Sequence, residues 1–196
     1  MNNLEKFEYS SDFVPYQNII VQNFSEKYKE KIAAVNIPVG IGLGIYTGIL
    51  LSAFSARPFW NSGLLGPLFL ISGLSTGVAS VILFAKDHEE KHFFTKIDLG
   101  LIAVELSILI LFIIGMLNSS VQHSNAVQYI LGGDYTHLFW IFVIGIGLTI
   151  PAFLEWLELK GKPVPSVIAA SMVLTGGLIL RFVFVELGQV SSWLPY

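Results

Sequence analysis

The sequence contains no cysteine among its 196 residues. It can ligate no iron–sulfur cluster through thiolates of its own and close no disulfide. Charge is scarce as well: 13% of residues are charged and 54% hydrophobic. A soluble domain of this length needs far more charge for its surface, so the composition points to an integral membrane protein. Histidine is rare and poorly placed for haem. His88 and His92 lie between apolar runs, and His123 and His137 lie outside or at the rim of the next one, so no run offers an axial ligand to a buried haem. No basic patch with interleaved aromatics occurs, which removes nucleic acid as a partner. Short alternating segments are missing, which excludes a transmembrane barrel.

What is present is five apolar runs near residues 32–56, 64–85, 99–117, 138–157 and 164–185. Each is long enough to cross the hydrocarbon core as a helix, which takes about 20 residues. The expected fold is an all-α integral membrane bundle of five transmembrane helices over residues 32–190. A short polar arm, residues 1–31, precedes it and a tail, residues 191–196, follows. The arm is too acidic and lacks the apolar centre of a signal peptide, and it is expected to be soluble with a helix near residues 23–31. Lys6, Lys27, Lys29, Lys31, Lys86, Lys91, Lys96, Lys160 and Lys162 all fall on one side of the runs, while only Arg57 and Arg181 fall toward the other. The positive-inside rule therefore places the N-terminus in the cytoplasm and Tyr196 outside.

The first run carries Gly40, Gly44 and Gly48 at i, i+4 and i+8, a spacing that lets another helix approach closely. Tyr46 points to the opposite face, with Gly42 leaving a gap beside it. Two readings of that phenol stand: a hydrogen bond to a neighbouring helix, or a contact with something bulky in the gap. The link at residues 57–63 reads as an interfacial turn, with Arg57 snorkelling and Trp60 in the aromatic belt. The second run lines Ser72, Ser75, Thr76 and Ser80 along one side and pairs Gly73 with Gly77 as small residues for helix packing.

Glu105 lies about two turns inside the third run, on the face that carries Asp98 seven residues earlier. A carboxylate at that depth faces protein or water, and it serves either a proton path or a structural hydrogen bond. Arg181 lies near the outer end of the fifth run, where it either pairs with a carboxylate or reaches the headgroups. His123, Asp134 and His137 in the outer loop lack the spacing of a metal site, so no metal is expected. The same loop is expected to hold a short interfacial helix. If the chain handles electrons, it does so without a metal centre of its own, and a quinone is the remaining lipid-soluble carrier.

Several motifs follow one another in order along the runs. They are Tyr46-Thr47-Gly48 with Leu50-Leu51-Ser52, then Pro58-Phe59-Trp60-Asn61, Leu68-Phe69 and Ser72-Gly73-Leu74-Ser75-Thr76-Gly77. Gly132-Gly133, Phe139-Trp140, Gly147 with Pro151, the stretch from Gly176 to Arg181, and Gly188-Gln189 continue the series. Together they resemble the NrfD/PsrC family of membrane subunits in polysulfide-reductase-type complexes, and the resemblance covers about residues 32 to 190. It implies a haem-free, quinone-reactive subunit in a bacterial or archaeal cytoplasmic membrane. Such a subunit docks on an outward-facing ferredoxin-like iron–sulfur subunit, which passes electrons to a molybdopterin enzyme or a multihaem cytochrome. Tyr46 resembles the family's quinone-contacting tyrosine. Asp98, Glu105 and Arg181 resemble in-membrane positions proposed for proton movement.

The sequence departs from the family in length. The resemblance covers only the last five of eight or more spans, and the polar arm stands where the earlier ones would be. A separate membrane subunit is expected to supply those spans and to complete the pocket beside Tyr46. Two rival readings use other chemistry. One is a structural anchor for an extrinsic redox enzyme, with quinone bound elsewhere. The other is an ion-translocating module, which the lack of a clear repeat disfavours.

Overall fold

In a computed structural model of the chain, residues 15–85, 87–162 and 164–193 are described, with side chains from Tyr28 onward except that of His88. Residues 1–14 of the expected arm and 194–196 of the expected tail lie outside them. The described residues form helices and turns with no strand. In order along the sequence the helices are α1 (Pro15–Ser52), α2 (Leu65–Phe84), α3 (His88–Leu117), α4 (Val121–Leu131), α5 (Leu138–Leu159) and α6 (Ser166–Val190). The chain divides into two compact units, Met1–Ile41 and Gly42–Tyr196, and the candidate site lies within the second. Five helical stretches are long and apolar enough to cross a membrane: Tyr28–Ser52, Leu65–Phe84, Glu89–Leu117, Leu138–Leu159 and Ser166–Val190. The chain is a multi-pass membrane protein.

α3 starts well before the apolar run that announces it. Asp87 precedes it in extended conformation, and Glu89 and Glu90 occupy its first turn, where carboxylates complement the positive end of the helix dipole. These polar turns are helical without being apolar, so a hydropathy reading passes over them. The loop after the third run folds as expected into a short helix, α4. Ser120 caps it by accepting a hydrogen bond from the His123 amide at 3.4 Å.

α5 is wound in two ways. Leu138–Thr149 follows π-helical geometry, and Ile150–Leu159 is α-helical. Pro151 stands at the start of the α-helical part, where its missing N–H costs least. Gly147 in the π-wound part meets Gly176 of α6 backbone to backbone: a Cβ on Gly147 would come within 2.6 Å of Gly176 Cα. Without a hydrophobic drive between helices in lipid, such close packing supplies the cohesion.

At the end of the second unit opposite Lys91, Lys160 and Lys162, an aromatic cluster binds the helices together. Phe59 is fully buried and its ring lies 5.4 Å from Phe112 and 5.3 Å from Phe184, centroid to centroid. Edge-on pairs of this kind contribute about 0.5–1.5 kcal/mol each beyond their buried area. The link between α1 and α2 is therefore more than an interfacial turn. Arg57 Nη1 donates to the Ser191 carbonyl at 2.9 Å, and Trp60 Nε1 donates to the Phe184 carbonyl at 2.8 Å. The Trp60 indole lies flat on Gly188, where any side chain would collide with it. Trp193 Nε1 closes the joint by donating to Ser55 O at 2.8 Å. Short-range reading places Arg57 and Trp60 at the lipid interface because it cannot see the end of α6 lying over them.

Candidate functional site

Polar side chains from α2, α3, α5 and α6 meet inside the second unit. Buried there are Ser72 and Ser75 of α2, Asp98 and Glu105 of α3, and Glu155 of α5. Arg181 of α6 is partly buried beside them. Each sits on the inward face of its helix because lipid offers no partner to a hydroxyl or a charge.

The cluster has two stations. In the first, Ser75 Oγ donates to Asp98 Oδ1 at 2.6 Å. The carboxyl of Asp98 faces that of Glu155 at interacting distance. Yet Asp98 Oδ2 and both oxygens of Glu155 lack a hydrogen bond of good geometry. Glu158, one turn further along α5, acts on Glu155 electrostatically and accepts a 2.7 Å hydrogen bond from Ser166 Oγ through Oε1. Glu158 borders an open cavity of ≈ 520 Å³ with Lys91, Gly161, Lys162 and Ser166 in its wall. Gly161 turns the backbone there with φ 77°, in the left-handed region that favours glycine.

The second station lies two turns deeper along α3, about 10 Å of helix rise. Glu105 faces the Ser72 hydroxyl and lies within the field of the Arg181 guanidinium. Arg181 Nη1 donates to Ser72 Oγ at 3.3 Å and to Gly177 O at 2.8 Å. It turns inward rather than to the headgroups. Gly177 makes room for it, and Gly73 lies at ordinary contact distance. A Cβ on Gly73 would stand 3.6 Å from Nη2, and one on Gly177 would stand 3.2 Å from Nη1. The Phe69 ring lies 5.9 Å from the guanidinium carbon. Together the stations set exchangeable hydroxyl and carboxyl groups from the lysine-bearing end to Arg181, a row that suits proton or cation traffic.

The remaining residues singled out in the sequence lie elsewhere. Tyr46 is 58% exposed on α1, and its hydroxyl has no partner among the described residues. On the other side of that helix, Gly48 abuts the backbone of Leu65 and Gly66, and Gly44 lies against Leu70. Side chains at Gly40, Gly42 and Gly77 would meet no atom within 4 Å. The structure thus joins Asp98, Glu105, Arg181 and Gly73 in one cluster and leaves Tyr46 apart from it. Among the described residues, no group of three or more His, Asp or Glu side chains has metal-holding geometry.

Glu155 is the functional candidate that sequence reading passes over. It lies close to the end of its run, where a carboxylate reads as a rim residue. A signal was available: Pro151 and Glu155 are four apart, share a helix face, and are both buried.

Comparison with known proteins gives one consistent result. Residues 3–192 match the family model described as "Polysulphide reductase, NrfD". Protein NrfD of Escherichia coli is 34% identical over 76% of this chain and 50% of its own length. The Protein NrfD homolog of Haemophilus influenzae is 29% identical over 91% of this chain and 60% of its own. The C subunit of the polysulfide reductase of Wolinella succinogenes is 30% identical over 85% and 56% respectively. The protein thus spans between half and three-fifths of the length of these relatives. No solved structure matches it.

Proposed function

This chain belongs to the NrfD family of polysulphide-reductase-type membrane proteins, and from that premise we propose that it is a membrane subunit of a respiratory oxidoreductase complex. In this reading it exchanges electrons between a membrane quinone and an iron–sulfur subunit at the outer face, and it moves protons through its interior. The observation that carries the reading is the row of buried polar groups from Glu158 through Glu155, Asp98 and Ser75 to Glu105, Ser72 and Arg181. Burying several ionisable groups in a span bundle is costly, and such groups by default mark an ion or proton route.

The residues around Tyr46 fit one side of a quinone headgroup. The phenol is exposed and free to donate, and Gly42, one turn before it, leaves open space at its own position. A bound quinone supplies a two-electron, two-proton couple. Tyr46 would donate its hydroxyl hydrogen to a quinone carbonyl and orient the ring. Asp98 and Glu105 would hold protons in transit from the lysine-bearing end, taken as cytoplasmic, and Arg181 would fix Glu105 at the inner terminus of that row. Spans beyond the matched half, on this polypeptide or on a separate membrane subunit, would complete the pocket. A ferredoxin-like iron–sulfur subunit and a molybdopterin or multihaem partner would complete the electron route.

The separation of Tyr46 from the polar cluster favours a second reading, a membrane anchor with quinone bound on another subunit. Quinol-linked turnover and inhibitor affinity of Tyr46→Phe in the intact complex decide between them. A loss of both supports the quinone contact, and unchanged values sink it.

A further inference from the structure

We infer that Asp98 of α3 and Glu155 of α5 form a binding site for one small monovalent cation, a proton or a sodium ion, loaded from the lysine-bearing end of the bundle. Asp98 is 0% exposed and Glu155 1% exposed, so both carboxyls are shut away from solvent and lipid. Ser75 occupies Asp98 Oδ1 and thereby leaves Oδ2 as the free atom. That atom and both Glu155 oxygens make no hydrogen bond of good geometry, although the two carboxyls face each other. Two facing acids thus carry three buried oxygens that no donor group of the protein satisfies.

The surrounding groups supply no fixed counter-charge. From α2 comes Ser75, a neutral donor. Glu105, on α3 itself, adds negative charge. Glu158, on α5, does the same. α6 contributes Arg181, but its Nη1 donates to Ser72 and Gly177 at the deeper station. Two buried acids left uncompensated are strongly unfavourable, whereas a mobile cation between them completes the set. The ion must be small because the acids sit in closed packing.

The loading route is also visible. Glu158 lies three residues beyond Glu155, hence on the same helix face. Its Oε2 is buried and unpartnered, and its side chain lines the ≈ 520 Å³ cavity. Lys91 and Lys162 line the same cavity. A cation then steps from the cavity to Glu158, to Glu155 and to the shared position with Asp98.

The inference extends the proton-path reading but does not depend on Tyr46. Unchanged turnover in Tyr46→Phe would remove the quinone contact and leave this site standing. The test uses the full-length protein in its purified membrane complex, reconstituted in vesicles of neutral lipid. For a proton, infrared difference spectra between acidic and alkaline baths should show a carboxylic-acid carbonyl band that shifts in D2O. Because the proton is shared, Asp98→Asn and Glu155→Gln should each abolish the same band. For sodium, millimolar NaCl but not choline chloride should raise the thermal midpoint, and each variant should lose that gain. The absence of both signals in the wild type overturns the site. So does a signal that survives either single substitution, since a shared cation needs both acids. Should the neutral variants fail to fold, Glu155→Asp keeps the charge and shortens the reach. It should move the band or weaken the sodium gain, and an unaltered signal overturns the site. Glu158→Gln should retain the signal but slow its appearance after a bath change by about tenfold, reported as the rate of band growth; unslowed loading overturns the route.

Discussion

Ser75 Oγ donates a 2.6 Å hydrogen bond to Asp98 Oδ1, so a hydroxyl on α2 fixes the orientation of a carboxyl on α3. The bond leaves Asp98 Oδ2 as the oxygen that no donor satisfies. It also ties the two helices at a depth where neither lipid nor water offers either group another partner.

Ser75→Ala should therefore lower stability by about 1–3 kcal/mol, the cost of leaving a buried acceptor without its donor. Thermal unfolding in detergent measures it. Ser75→Thr keeps the hydroxyl and should retain most of the stability, whereas equal losses in both variants would assign the effect to packing.

Arg181→Lys should cut quinol-linked turnover about tenfold or more while the protein still accumulates in the membrane. The guanidinium reaches Ser72 and Gly177 from one nitrogen while acting on Glu105. An ammonium on a flexible stem does not reproduce that geometry. Turnover close to wild type would mean that Arg181 contributes charge alone.

Gly176→Leu should destabilise the α5–α6 pair by at least about 1–3 kcal/mol, the usual penalty for overpacking. Gly147 and Gly176 touch through their backbones and leave no room for a side chain. The midpoint of heat denaturation should fall well below that of Leu178→Ala, a change at an exposed position of the same helix.

Trp60→Phe should cost about 0.5–1.5 kcal/mol by removing the hydrogen bond to the Phe184 carbonyl. Gly188→Ala should cost more, because its methyl meets the indole ring directly. Paired in one protein, Trp60→Phe should relieve little of that clash, since the ring remains. Additive losses on a double-mutant cycle check this.

Much of this molecule could be read from its residues. Five apolar runs announced five helices, and the spacing of Gly44, Gly48 and Tyr46 separated a packing face from an exposed one. Asp98 and Glu105 stood out because charge at membrane depth is rare. What escaped was set by tertiary contact. Glu155, close to the end of its own run, gains its meaning from Asp98 opposite it. Each of Arg181 and Arg57 is near the end of a run, which leaves Arg181 open between a carboxylate and the headgroups and points Arg57 to the headgroups. Only the packing of α2 against α6 gives the first its Ser72, and only the end of α6 gives the second its Ser191. The early start of α3 escaped for a different reason: its first turns are held by dipole and cap effects that hydropathy does not measure.

The joint made by Arg57, Trp60 and the end of α6 has a mechanical consequence. Arg57 and Trp60 follow directly on the helix that carries Tyr46, and their hydrogen bonds end on Phe184 and Ser191. Phe184 is three residues from Arg181, less than one turn along the same helix. A load that tilts the end of α1 is therefore borne by the stretch of α6 that sets the guanidinium against Ser72. Leverage of this kind needs no relay of charges: a stiff helix clamped at its end transmits displacement at its own length scale, and the clamp is already built.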